Sequence, residues 1–156
     1  MPTKKDPLSE IENPLALDQQ VCFGLAVAAR SVIGLYRPLL EPMGLTHPQY
    51  LVMLALWERS PRSVREISDE LQLEPATISP LVRRLEAAGF ITRRRAEGNE
   101  RSLAVGLTAT GSALRAEALS VPGMIMRRLG LSREDVMQLH EAMMRLIAAT
   151  RTVPAP

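Results

Sequence analysis

Residues 63–107 constrain the fold of this chain most, because two helical patterns separated by a short break are followed there by two strand-like runs. Ser63 and Glu66 have the spacing of a capping box, in which the two side chains satisfy N–H groups at the start of a helix. Apolar residues then recur at helical spacing, at Val64, Ile67 and Leu71. A polar–apolar break at residues 72–73 ends the pattern, so the sequence predicts a helix followed by a turn.

A second helical pattern begins at Pro75, a residue type whose fixed backbone angle suits the first position of a helix. Its apolar side comprises Ile78, Leu81, Val82, Leu85 and Gly89. The opposite side carries small, hydroxyl-bearing and arginine residues, namely Ala76, Thr77, Ser79, Pro80, Arg83, Arg84 and Ala87. Small residues allow a close backbone approach, and hydroxyl and guanidinium groups bind phosphates or base edges. This side of the helix is therefore predicted to contact DNA in the major groove.

Pro80 conflicts with this helix, because a proline in a helix interior removes one backbone hydrogen bond and costs about 3 kcal/mol. The apolar period nevertheless continues in phase through Leu85. We therefore expect the helix to continue through Pro80 and to bend near it.

A basic β-ribbon is predicted after the second helix, from strand-like runs at residues 90–95 and 103–107. The polar residues 96–102 between them include Gly98 and Asn99, which suit the tip of a hairpin. Positive charge on the ribbon comes from Arg93, Arg94, Arg95 and Arg101. The order helix, turn, helix, ribbon is typical of a winged helix-turn-helix, with Arg94, Arg95 and Arg101 as predicted DNA contacts.

The length and composition predict one mainly α-helical domain with a small β-wing. The chain has 156 residues, of which 46% are hydrophobic and only 3% aromatic. The net charge is only +2, but residues 83–101 contain six arginines against three glutamates. The distribution of charge, rather than its total, therefore supports a local DNA-binding surface.

Several other classes of protein are not expected from this sequence. A single cysteine excludes a disulfide framework within the chain and fits a reducing cytosol. The polar residues 1–13 do not resemble a signal peptide, and no uninterrupted apolar run reaches the roughly 18 residues that span a bilayer. Metal-ligand spacing, a phosphate loop and a catalytic triad are all lacking in the sequence. We expect a cytoplasmic, non-enzymatic protein without a cofactor, with disordered ends at residues 1–13 and 152–156.

Two helices are predicted before the DNA-binding region. Asp18 can cap a helix that runs to about Tyr36, and Pro38 with the segment Glu41-Pro42-Met43-Gly44 is expected to end it. Thr46 and Gln49 form a second capping box, and the helix behind it is apolar nearly all round. This second helix is therefore predicted to be buried.

Further helices are predicted after the ribbon. Thr108 can cap a helix through about Leu119, and Pro122 is expected to interrupt it before another helix at residues 124–129. Ser132 can cap the last helix, which carries an apolar stripe.

The apolar faces of these flanking helices exceed what one small module can bury. We therefore predict a homodimer formed through residues 15–45 and 108–150, around a DNA-binding region at residues 46–107. A two-fold dimer would place two recognition helices about 34 Å apart, matching a palindromic operator.

The order of these elements resembles the MarR family of bacterial transcription regulators. Two motifs carry this resemblance, Leu107-Thr108-x-x-Gly111 after the ribbon and Asn99-Glu100-Arg101 at its tip. Residues 17–23, 36–40, 45–53, 56–58 and 77–81 are similar to the OhrR branch, whose members sense organic hydroperoxides. The resemblance extends from about residue 15 to residue 146 and includes the proline at position 80. It implies that Arg101 enters the minor groove, although the acid that helps to orient it in the family is Asn99 here.

The resemblance also implies that Cys22 is a redox sensor. In the OhrR branch a cysteine near the start of the first helix is held, when reduced, by tyrosine hydroxyls from the other subunit. Tyr36 matches one of these tyrosines, and His47 occupies the position of a second. A histidine can hydrogen-bond a thiolate and, if protonated, would stabilise it further. A third tyrosine of the family is replaced by Ala26, which would open the pocket.

The position of Cys22 near a helix start favours its thiolate form, which peroxides oxidise to a sulfenic acid. No second cysteine in the chain can resolve that product, so a mixed disulfide, a cyclic sulfenamide or over-oxidation would follow. Inert packing in a core is the alternative role for a lone cysteine on an apolar helix.

Three other functions stay open at this point. A small aromatic or lipophilic ligand between the dimer helices and the DNA-binding region could release the protein from DNA. The other two are a thiol peroxidase and a winged helix that binds a partner other than DNA. The leading hypothesis is a dimeric repressor that leaves its operator when organic hydroperoxides oxidise Cys22.

Overall fold

The computed structural model of the protein describes residues 12–153, apart from the side chains of Asn99 and Glu100. Most of the ends predicted to be disordered lie outside the described residues. The described helices are α1 Val21–Leu40, α2 His47–Glu58, α3 Val64–Leu71, α4 Pro75–Ala87, α5 Ala109–Ala118, α6 Val121–Leu129 and α7 Arg133–Arg151. The described strands are β1 Arg62–Ser63, β2 Ile91–Ala96 and β3 Asn99–Leu107, in one antiparallel sheet of order β1-β3-β2. The predicted fold class, mainly α with a small β-wing, is confirmed.

The helix-turn-helix forms as the sequence predicts. Ser63 Oγ accepts a hydrogen bond from Glu66 N at 3.1 Å, and Glu66 Oε2 accepts one from Ser63 N at 2.7 Å. These bonds, together with Arg59, lower the pKa of Glu66. Gln72 ends α3 in the left-handed conformation, with φ of 53°, and α4 then begins at Pro75.

The hydrophobic core lies where α2, α3, α4 and the sheet meet. Its fully buried members include Leu40, Met53, Leu56, Ile67, Ile78, Val82, Leu85, Ile91 and Val105. Helix α4 continues through Pro80, as expected, because Ile78, Val82 and Leu85 hold the turns on both sides of the proline in this core. The buried character predicted for α2 is also confirmed.

The sheet differs from its prediction in two ways. Residues 62–63 form a third strand, in which Arg62 pairs with Val105. The polar segment 96–102 is mostly strand rather than loop, because the hairpin turns at Glu97 and Gly98, where Gly98 has φ of 79°. The pairing register shifts between Arg95 and Ala96.

The first helix also differs from its prediction. Asp18 lies in a 3-10 turn and does not cap α1, whose N-cap is Gln20. The helix continues past Pro38 to Leu40 and ends at the predicted segment Glu41-Pro42-Met43-Gly44, where residues 41–43 form a 3-10 turn. Burial of Leu40 in the core stabilises the last turn, beyond the proline.

The helices after the ribbon begin at their predicted caps, with one shift. Thr108 Oγ1 accepts a hydrogen bond from Gly111 N at 3.0 Å, and Ser132 with Asp135 forms a capping box that lowers the pKa of Asp135. The interruption falls at residues 119–120 rather than at Pro122. Pro122 lies in the first turn of α6, where a proline is well tolerated.

Gly111 in α5 lies close to the backbone of Phe90, the residue before β2. A Cβ atom at this position would stand 1.9 Å from the carbonyl oxygen of Phe90. The same oxygen accepts a hydrogen bond from Thr108 N at 3.0 Å, and Gly111 O accepts one from Trp57 Nε1 at 2.9 Å. The position therefore requires glycine, because the atom that an added Cβ would meet belongs to the Phe90 backbone and cannot move aside as a flexible side chain could.

We expect Gly111→Ala to lower the free energy of unfolding by about 3 kcal/mol, the upper end of the usual cost of overpacking. Gly123→Ala is the matched control, since the nearest atom to its added Cβ is Arg127 Nη1 at an ordinary 3.6 Å. The free energy of unfolding of that variant should rise by up to about 1 kcal/mol, because alanine has a higher helix propensity than glycine. Urea unfolding followed by circular dichroism measures both, and equal stabilities would contradict the steric argument.

Candidate nucleic-acid interface and cysteine site

Helix α4 presents its predicted DNA-contact residues on the surface. Ala76, Thr77, Arg83 and Arg84 are exposed, and Ser79 and Pro80 are partly exposed. The Ser79 hydroxyl donates to the Pro75 carbonyl oxygen at 2.9 Å, which leaves its oxygen free to accept a hydrogen bond. The exposed side of α4 thus combines small side chains, hydroxyl groups and two guanidinium groups.

The β-ribbon adds exposed positive charge beside α4. Arg94, Arg95 and Arg101 are all exposed. Because successive residues of a strand point to opposite faces, Arg94 and Arg95 lie on opposite faces of the ribbon. The ribbon can therefore offer guanidinium groups on both of its faces.

Arg93 does not add to this positive surface, contrary to the expectation for the whole run 93–95. Its Nε donates to Glu86 Oε2 at 2.7 Å, and its Nη2 lies 2.6 Å from the same oxygen. Its backbone N donates to Glu86 Oε1 at 3.2 Å. The Arg93 side chain lowers the pKa of Glu86, so the two charges compensate each other at the junction of α4 and β2.

Arg62 is a structural residue that sequence reasoning missed. Its side chain is only 6% exposed and lies 3.5 Å from carboxylate oxygens of both Glu58 and Glu70. Its Nε donates to the carbonyl oxygen of Arg59 at 3.0 Å. Arg62 thus joins α2, β1 and α3. The sequence gives no local signal for this role, because it depends on the pairing of residue 62 with Val105 in the sheet.

The structure brings together two of the three predicted sensor residues. The rings of Tyr36 and His47 form an edge-to-face contact with centroids 4.9 Å apart. The ring centroid of Tyr50 lies 5.9 Å from that of Tyr36. Cys22 is exposed and is the second residue of α1. It precedes Tyr36 by 14 residues on that helix, which corresponds to about 21 Å. Within one chain, Cys22 therefore does not meet Tyr36 and His47.

Burial changes the acid–base properties of this aromatic group. It lowers the pKa of His47, which favours the neutral imidazole over the imidazolium that would best stabilise a thiolate. Burial and the neighbouring Tyr36 raise the pKa of Tyr50. In this chain His47 is thus suited to hydrogen bonding in its neutral form.

An open cleft of about 890 Å³ adjoins His47, between α1 and the start of α2. Apolar residues of the cleft include Ile33, Leu45 and Pro48, and its charged residues are Arg30, Arg37 and Glu41. Its volume lies within the range of about 300–1,000 Å³ that small-molecule sites occupy. The cleft could therefore admit a small molecule or a side chain.

Two other kinds of site can be compared with the structure. Among residues 12–153, apart from the undescribed side chains, no group of three or more metal-ligating side chains occurs. Residues Val21–Met43 could cross a membrane by length and mean hydropathy alone, which is weak support for a span. The segment contains Arg30 and Arg37, and Leu40 is completely buried in the core. We therefore assign this segment to the protein fold.

The fold and the exposed basic surface define a winged helix-turn-helix protein. The profile of the MarR family matches residues 45–103. Over 133 residues, the chain is 38% identical to the organic hydroperoxide resistance transcriptional regulator of Bacillus subtilis, covering 85% of this chain and 90% of that protein. The chain belongs to the MarR family of transcriptional regulators.

Solved structures support the same assignment. Reduced AbfR bound to DNA matches with a TM-score of 0.73 and 27% identity, over 86% of this chain and 94% of that one. Disulfide-formed AbfR matches with a TM-score of 0.64 and 27% identity, over 85% and 92%. AbfR is a protein of Staphylococcus epidermidis.

We expect an NMR pH titration to give His47 a pKa below the usual value of about 6.5, because burial disfavours its charged form. The unfolded chain then binds the proton more readily, so stability should fall as the pH decreases below about 6.5. His140→Gln leaves His47 as the only histidine and secures the assignment. His47→Gln should flatten the pH dependence, and a pKa above 6.5 would contradict the proposed effect of burial.

Proposed function

We propose that this protein is a dimeric DNA-binding transcriptional repressor that senses organic hydroperoxides through Cys22 and then releases a palindromic operator. The observation that carries the proposal is the separation, within one chain, of an exposed Cys22 from the paired rings of Tyr36 and His47. Cys22 and Tyr36 lie 14 residues apart on α1, so they can meet only between two copies of that helix that run alongside each other in opposite directions. A two-fold dimer provides this arrangement.

The surfaces of α1 and α7 support such a dimer. On α1, apolar side chains are exposed in the single chain at Val21, Phe23, Leu25, Val27 and Ile33. On α7, exposed apolar side chains are Met137, Leu139, Met143, Met144 and Leu146. Helix α7 buries none of its residues against the rest of the described chain. Contiguous apolar surfaces of this kind are typical of protein interfaces.

The exposed side of α4 and the basic ribbon support DNA binding. The fold that carries these two elements resembles that of AbfR, whose structure was solved in complex with DNA. In the proposed complex Ala76, Thr77, Ser79 and Pro80 approach the major groove, while Arg83 and Arg84 bind phosphates or base edges. From the wing, Arg94 and Arg95 bind phosphates and Arg101 enters the minor groove.

The proposed sensing reaction takes place at the Cys22 sulfur. The thiolate attacks the terminal oxygen of an organic hydroperoxide, the O–O bond breaks, and the alkoxide leaves as an alcohol after taking up a proton. Cysteine is oxidised to sulfenic acid and the hydroperoxide is reduced. The oxidised side chain then loses its hydrogen bonds to Tyr36 and His47 of the other subunit. A shift of the dimer helices follows, and the two recognition helices no longer match the spacing of the half-sites.

The redox hypothesis can be tested by gel shift, with a DNA duplex that the wild-type protein selects from a random-sequence pool. We expect stoichiometric cumene hydroperoxide to release wild-type protein and a reductant to restore binding, because only Cys22 can be oxidised to a sulfenic acid. Cys22→Ser is the matched control and should keep its DNA after the same treatment. If both proteins keep their DNA, the redox hypothesis is wrong.

The cleft beside His47 favours a second candidate function, release by a small aromatic or lipophilic ligand with Cys22 in a structural role. In that case a phenolic or carboxylate compound would abolish DNA binding by wild type and by Cys22→Ser alike. The hydroperoxide would leave binding by both proteins unchanged.

The DNA contacts can be tested by measuring affinity over a range of salt concentrations. Arg83→Ala and Arg101→Ala should weaken binding and reduce the slope of log K against log salt by about 1 for each phosphate that is no longer neutralised. Arg133→Ala removes the same charge from the exposed start of α7, outside the predicted DNA-binding region of residues 46–107. Its slope should match that of wild type, and equal slopes for all proteins would contradict the proposed interface.

A further inference from the structure

The ion pair between Glu86 and Arg93 is a direct side-chain link between the recognition helix and the wing. Glu86 lies in the last turn of α4, and Arg93 is the third residue of β2. Both oxygens of the carboxylate are used, one by the Arg93 guanidinium group and the other by the Arg93 backbone N–H. The contact thus holds both the side chain and the backbone of the strand against the end of the helix.

The geometry of this pair is better defined than that of an ordinary surface ion pair. The two side chains are 31% and 35% exposed, so surrounding atoms restrict both of them. A planar guanidinium group that donates through Nε and holds Nη2 near the same oxygen is also restricted in direction, unlike the ammonium group of a lysine. The pair therefore adds a directional contact to the backbone hydrogen bonds that join the end of α4 to β2.

The charge of Glu86 is unfavourable for DNA binding when considered alone. It lies close in sequence to Arg83 and Arg84, on the helix proposed to enter the major groove. A carboxylate near DNA phosphates weakens the electrostatic attraction that accounts for non-specific binding.

Building on the proposed function, we infer that Glu86 and Arg93 are positioning residues that determine the specificity of DNA recognition. Their contact sets the wing relative to α4, so that both elements reach their own groove in the same half-site. Without this contact the arginines of the wing still attract phosphates, but they no longer lie at a defined distance from the bases that α4 contacts. Loss of the pair therefore reduces affinity for the operator and leaves affinity for other DNA intact.

The test compares two DNA duplexes, the one that wild-type protein selects from a random-sequence pool and a scrambled duplex of the same composition. For Glu86→Gln, affinity for the selected duplex should fall at least about fivefold, a loss comparable to that of one good bidentate contact. Its affinity for the scrambled duplex should stay constant or rise, because a negative charge has been removed. Glu97→Gln is the matched control, since it removes the same charge from the exposed hairpin turn.

Arg93→Lys separates position from charge, because it keeps the charge and loses the planar fork. It should also lower the ratio of selected to scrambled affinity, and the exchange Glu86→Arg with Arg93→Glu should restore part of that ratio. Equal gains of affinity on both duplexes for Glu86→Gln, with no effect of Arg93→Lys, would overturn the inference. Unchanged circular dichroism spectra exclude misfolding as the cause. A wild-type protein that selects no duplex would instead refute the proposed function.

Discussion

The close approach of the Phe90 carbonyl oxygen to Gly111 is the contact on which the rest of this structure depends. That oxygen and the neighbouring carbonyl of Gly89 accept hydrogen bonds from Thr108, at 3.0 Å and 2.7 Å respectively. On the other side of the contact, Gly111 O accepts the Trp57 indole N–H at 2.9 Å. Three parts of the chain therefore meet at one point: residues 89–90 after α4, the buried helix α2, and the start of α5. Because the contacting atoms belong to the backbone, no change of side chain can reproduce this arrangement.

Much of the fold could be predicted from the sequence because its signals are local. The caps at Thr46, Ser63 and Ser132 place donor and acceptor within three residues of each other, and all three formed as predicted. Strand β1 has no such signal, since its two residues pair with positions about forty residues away, a contact that no local spacing encodes. Asp18 was wrongly assigned as a cap because a 3-10 turn uses the same residue types.

For the candidate site, local spacing predicts which residues are exposed but not which side chains contact each other. The exposed side of α4 followed from helical periodicity, which describes a surface residue as well as it describes a core residue. The partnership of Arg93 with Glu86 did not, because it depends on where the strand returns to the helix. The meeting of Tyr36 and His47 followed from the family resemblance, whereas the protonation preference of His47 depends on burial.

The hydrogen bond from Trp57 also makes this residue an intrinsic fluorescence probe. Trp57 is the single tryptophan of the chain, and its indole N–H donates to Gly111 at the point where α2 and α5 meet. Indole emission depends on hydrogen bonding and on exposure to water. All tryptophan fluorescence of the protein therefore reports on the contact between α2 and α5. Movement at that contact can be followed in real time on the unlabelled native chain.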